Sequence, residues 1–228
     1  MTQATFAGFP AEATEFFADL ELDNSREFWL AHRPVFERSV RAPMRALLDA
    51  LEPDPKAFHV FRPNRDVRFS ADKSPYKTMH GAGATSGAGT MRYVHISADG
   101  LFIASGCYML APDQIVRLRA AIADDETGPA LVGLLAAVER TGLEVGPGGA
   151  PALKTAPRGY PRDHPRIELL RFKGLVAHES VVDPAVVETA AALERVRASW
   201  KAAAPMRAWL EEHVGPSSEP VDRIGRRR

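Results

Sequence analysis

The sequence predicts an α+β fold: a single domain with a largely antiparallel sheet and N-terminal and C-terminal helices packed on it. Three observations carry this reading. Apolar side chains in the first fifty residues recur at helical spacing. From 57 to 110 the chain changes to β-branched and aromatic runs punctuated by Gly, Pro and Asp. Helical spacing then returns in "DQIVRLRAAIAD", "PALVGLLAAVERTG" and the C-terminal segment. No repeat or interdomain linker interrupts the pattern, so one domain over 1–215 and a flexible tail over 216–228 is the economical organisation.

The elements follow in order. "PAEATEFFADLE" places Phe16, Phe17 and Leu20 on one face behind a leading proline, as an inward-facing helix does. A second helix can start at Asn24 or Ser25 and bury Phe28 and Trp29. Pro34 reads as the first turn of a third helix, with Pro43 a kink or break. "AFHVFR" (57–62), "MRYVHIS" (91–97) and "LFIASGCYML" (101–110) read as strands, the last two joined through Asp99-Gly100, a pair suited to a tight hairpin turn. "GAGATSGAG" (81–89) fits neither GxGxxG nor GxxxxGK[ST] and is expected to be a mobile connector, with a lid role left open. Gly142 reads as a helix C-cap, the segment to Lys173 as irregular and then helical, "LVAHESVV" as a further strand, and Asp183–Val214 as helix broken at Pro205.

Composition narrows the function classes. With 45% hydrophobic residues, 25% charged residues and zero formal net charge, the chain reads as an ordinary folded globule. Nucleic acid is therefore a possible but not a favoured partner, because a nucleic-acid coat protein is usually basic over a whole face. The single cysteine, Cys107, lies in an apolar run and suits a reducing compartment. No signal-peptide pattern or membrane-length apolar window is present, so a soluble, cytoplasmic protein without a membrane partner is expected. The seven histidines show no HExxH and have no cysteine partners, so no metal site is expected; cofactor and oligomeric state stay open.

Positive charge is nevertheless concentrated. "RPNRDVRFSADKSPYKT" (62–78) holds Arg62, Arg65, Arg68, Lys73 and Lys77 against Asp66 and Asp72. "KTAPRGYPRDHPRIELLRFK" (154–173) holds Lys154, Arg158, Arg162, Arg166, Arg171 and Lys173 against Asp163 and Glu168. If both stretches open onto one hollow, an anion is the expected occupant, because converging unpaired cations repel each other and guanidinium forks match phosphate or carboxylate. The candidate ligand-binding residues are Arg62, Arg65, Arg68, Lys73, Tyr76, Lys77, Lys154, Arg158 and Tyr160, with a tyrosine stacking on a ring or sugar. The candidate ligand is an anionic small molecule or nucleotide. An alternative is an enzyme for phosphoryl transfer or hydrolysis, with Asp66 or Asp72 as base or metal ligand and His164 as proton carrier. A second alternative is a scaffold in which the acids pair with neighbouring cations on an exposed face and no ligand exists.

"RDVRFSADKSPYKT", "PRGYPRDHP" and "FFADLELDNSREFW" together resemble the uncharacterised family catalogued as domain of unknown function 2461, found in bacteria and some fungi. The likeness runs from about Phe6 to past Trp200. It implies one α+β domain. It also implies two signature sets, Arg65, Asp66, Arg68, Phe69, Asp72, Lys73, Pro75, Tyr76 and Lys77 in the first and Lys154, Pro157, Arg158, Gly159 and Tyr160 in the second. The chain departs from the family pattern at Asp23-Asn24, at Leu30 after Trp29, and in its Gly/Ala-rich stretch after Thr78.

Overall fold

The computed structural model describes residues 5–52, 54, 56–68 and 72–219. Among them six strands, β1 (His59–Val60), β2 (Met79–Thr85), β3 (Met91–Ser97), β4 (Gly100–Cys107), β5 (Glu144–Gly146) and β6 (Leu175–Val181), form an antiparallel sheet in the order β1-β2-β3-β4-β6-β5. The helices are α1 (Glu12–Leu22), α2 (Arg26–Val35), α3 (Ala42–Leu51), α4 (Pro112–Ala123), α5 (Thr127–Glu139), α6 (Ile167–Leu170), α7 (Pro184–Val187), α8 (Ala191–Ala202) and α9 (Ala204–His213). The class is α+β, as the periodicities predict. The chain divides into two compact units, one of residues up to Ala84, Tyr93–Ile103 and Ser180–Ala198, the other of Thr85–Arg92, Ala104–Glu179 and the residues from Ser199 onward.

In the first unit, α1 buries Phe16, Phe17 and Leu20. The Ser25 hydroxyl caps α2 by accepting the Phe28 N–H at 3.0 Å. Pro34 does not start a new helix; it lies within α2, and a π-helical segment, Phe36–Arg41, carries the chain into α3. Pro43 has no N–H to give, and its ring crowds the carbonyl four residues back. The widened register answers this, with the Ala42 N–H reaching the Glu37 carbonyl. The proline thus shifts the helical register without breaking the rod.

The Gly/Ala stretch is the clearest departure from expectation. Met79–Thr85 is strand β2, not a mobile connector, and only the turn that follows, closed by Ser86 N–H to the Thr90 carbonyl at 2.8 Å, is loop. The composition has a packing cause: a Cβ on Gly81 would lie 2.7 Å from both His95 Cβ and the Val94 carbonyl oxygen, so a side chain there would collide with β3. The expected strand over 57–62 shrinks to His59–Val60, which pair with Gly83 and Ala82. The Asp99-Gly100 turn forms as expected, Gly100 taking a positive φ of 91°.

The second unit has its own apolar core, in which Leu118, Ile122, Leu131, Leu135, Leu170, Leu175, Met206 and Leu210 are buried. Arg166 donates to the carbonyls of Ile122, Ala123 and Asp124 at 2.6, 2.8 and 3.0 Å, the first two being acceptors that the end of α4 leaves open and the third also accepting the Gly128 N–H. The expected tail is held at its start, where the Ser217 hydroxyl donates to Asp113 at 2.8 Å and the Ser218 N–H at 2.9 Å; residues 220–228 lie outside the described residues. Among the described residues no helix is long and apolar enough to cross a membrane.

Candidate functional site

Arg33, Glu37, Arg41 and Arg45 follow one another at every fourth position along α2, the π-helical segment and α3, which aligns them along one side of the helical rod. Opposite them runs β1 with the residues after it, Val60, Phe61, Arg62, Pro63 and Asn64. A cavity of about 490 Å³ lies between the two, within the range of small-molecule sites. Trp29, Phe36, Met44 and His80 complete its lining. All of these residues belong to the first unit.

Charge in the lining is lopsided: four guanidiniums face one carboxylate. Arg41 Nη1 donates to both oxygens of Glu37 at 3.0 and 3.1 Å, and Arg33 Nε stands 4.0 Å from the same group. Among the described residues neither the Arg45 nor the Arg62 side chain has a hydrogen-bond or ion-pair partner, although Arg62 lies near enough to Asp66 to help lower its pKa. An anion entering the cavity would meet two donors already free and two more sharing a single acid.

His80 is the polar group at the buried end. It is 3% exposed, its ring lies edge-on to Phe36 with centroids 5.1 Å apart, and neither ring nitrogen has a hydrogen-bond partner among the described residues. Burial lowers its pKa to about 4, helped by the positive charge of Arg41 and Lys77 and partly opposed by Glu37. The imidazole is therefore neutral near pH 7, with one N–H and one open lone pair.

The residues singled out from the sequence fare differently. Of the ligand-binding set, only Arg62 lines this cavity. Arg68 makes a two-pronged bond to Asp66, Nε to Oδ1 at 2.9 Å and Nη2 to Oδ2 at 2.6 Å, which lowers the Asp66 pKa to about 2. Asp72 accepts the Ser74 N–H at 2.9 Å, the Ser74 hydroxyl at 2.6 Å and an Arg65 N–H; Ser74 is the main cause of its lowered pKa. Every oxygen of both carboxylates is thus engaged by a neighbour in sequence. Lys73 donates to the Val67 carbonyl at 3.0 Å, and Lys77 lies 5.5 Å over the Phe61 ring. Tyr76 is buried, stacked on Trp29 at 4.3 Å with the planes 10° apart, and its backbone N–H and C=O both bond the Asn24 side chain. Its ring is committed to packing rather than open to a ligand. Phe69 lies outside the described residues.

Lys154, Arg158, Tyr160 and His164 belong to the second unit and take no part in the cavity of the first. Lys154 and Arg158 are exposed, and Tyr160 packs against the apolar core of its unit. His164 accepts the Arg166 N–H at 3.0 Å through Nδ1. Sequence reasoning passed over Arg33, Glu37, Arg41 and Arg45, although the signal was present as charge recurring every fourth residue. It also passed over His80, which stands in β2 where His80, Gly81, Ala82 and Gly83 are all buried. Among the described residues no group of three or more His, Cys, Asp or Glu is placed to hold a metal ion.

Compared with known protein families, residues 12–209 match the family described as conserved hypothetical protein (DUF2461). No curated protein and no solved structure matches the chain.

Proposed function

The chain belongs to the DUF2461 family, and from that starting point we propose that it is a binding protein for a small anionic ligand, phosphate- or carboxylate-bearing, held in the cavity between the α2–α3 rod and β1. One observation carries the reading: four arginines line a single small-molecule-sized cavity with Glu37 as the one acid among the lining residues. Arginine suits the task because a guanidinium donates two parallel hydrogen bonds to one oxyanion and stays charged at any physiological pH. Arg45 and Arg62 would grip the anion directly, and Arg33 and Arg41 would turn from Glu37 as it arrives. The setting is a bacterial cytoplasm, which suits Cys107, a buried thiol that burial pushes up to about 12 and so keeps protonated.

This reading moves the site away from Asp66 and Asp72, and so away from acid–base chemistry by those carboxylates. Calorimetric titration of the full chain with inorganic phosphate, pyrophosphate and citrate, at low salt and against chloride as control, tests it. Saturable binding that weakens as salt rises is the expected result. Heats no larger than those of chloride for every anion would sink it.

A further inference from the structure

The anion reading accounts for the arginines but leaves His80 without a task. A buried polar group without a partner costs free energy, so it is uncommon in folded proteins and calls for an explanation. His80 lines the cavity, and its neutral ring presents one donor and one acceptor. A hydroxyl complements either nitrogen whichever tautomer is present, because it can accept from the N–H or donate to the bare nitrogen.

The aromatic lining argues in the same direction. A nucleobase needs an open ring face, yet Trp29 is 8% exposed and already stacked on Tyr76, and Lys77 lies over Phe61. Both His80 nitrogens are closed to solvent, so reaching them requires a small repacking of the surrounding side chains. Met44, fully buried in the same lining, is unbranched and adapts its shape readily.

We propose that the ligand is a hydroxylated anion of the sugar-phosphate or polyol-phosphate type, with its phosphate among Arg33, Arg41, Arg45 and Arg62 and a hydroxyl bound by His80. The assignment rests on the anion reading above and adds to it the uncharged half of the ligand.

The test uses matched probes on the full chain: glycerol 3-phosphate and propyl phosphate, which share a phosphate and differ in hydroxyls. The wild-type protein is expected to bind glycerol 3-phosphate about tenfold or more tightly than propyl phosphate. His80→Leu should bring the two affinities together by weakening only the first. Because that variant could fold poorly, a second measurement needs the wild type alone: the imidazole nitrogen resonances of His80 should move on titration with glycerol 3-phosphate and stay in place with propyl phosphate. Equal wild-type affinities with unmoved resonances would overturn the role of His80 and leave the anion site standing. Binding of neither phosphate beyond chloride would overturn the anion site, and this inference with it.

Discussion

Two arginine-rich regions of the first unit meet opposite fates. In the segment from Arg65 to Thr78, opposite charges are two to seven residues apart, and the chain folds back so that Arg68 meets Asp66 and Arg65 meets Asp72. Along the α2–α3 rod, Arg33, Arg41 and Arg45 recur on one side with Glu37 as the one acid among them, and Arg62 joins them from the residues after β1. The difference teaches that local charge density is a poor guide to a charged site. Neighbours in sequence neutralise each other at little entropic cost, as Arg41 and Glu37 do within the rod, whereas Arg45 and Arg62, brought to one cavity from separate elements, have no acid at ion-pair distance among the described residues.

Trp29→Ala tests the joint between the two regions and should have the largest effect. Trp29 lines the cavity and stacks on Tyr76 of the charged segment. Its removal should cost about 3–5 kcal/mol in urea unfolding, and it should weaken anion binding as well. A loss under about 1 kcal/mol would mean that the two regions are not coupled through this ring.

Charge reversal separates the regions. Arg45→Glu combined with Arg62→Glu should reduce pyrophosphate affinity about a hundredfold or more at low salt, because two donors become two repelling acids. Arg68→Glu, in the self-paired segment, should change it less than about twofold. Equal losses from both variants would abolish the distinction.

Acid sensitivity sharpens the comparison at the buried end of the cavity. With a pKa of about 4 folded and 6.5 unfolded, His80 takes up a proton in the unfolded chain over a range where the folded chain does not. Its contribution to stability is therefore complete above pH 6.5 and declines as pH falls toward 4. His95, lowered to about 4 chiefly by burial, acts in the same window. Urea midpoints should fall across this range, and His80→Leu should flatten the fall without abolishing it. An unchanged slope in that variant would show that His80 does not titrate as its burial requires.

Arg68→Ala should have the smallest effect. The Asp66 pKa should climb from about 2 toward 3.8, as read by carboxyl resonances, while the melting temperature stays within a degree or two. A larger loss would mean that the exposed pair supports the fold.

Much of the architecture was legible in the sequence. Phe16, Phe17 and Leu20 announced α1, Asp99-Gly100 announced the β3–β4 turn, and Gly142 marked the end of α5, because each depends on contacts or backbone angles within a few residues. Gly81 misled for the same reason: its composition looks flexible, and only the approach of His95 and Val94 on the neighbouring strand shows why a side chain is excluded. The charged motif was legible as a motif, and Arg62 within it lines the cavity, yet most of its charge is spent on itself.

By itself the sequence determined the α+β class, the helices at both ends, the β3–β4 turn, the family and the excess of local positive charge, since periodicity, turn chemistry and composition are properties of neighbouring residues. Only the tertiary structure decided which cations keep their charge available. Arg33, Arg41 and Arg45 meet Arg62 and the buried His80 across separations of some twenty to fifty positions. Pairing or isolation of a charge depends on the distance through space to the nearest opposite charge, which no short stretch of sequence encodes.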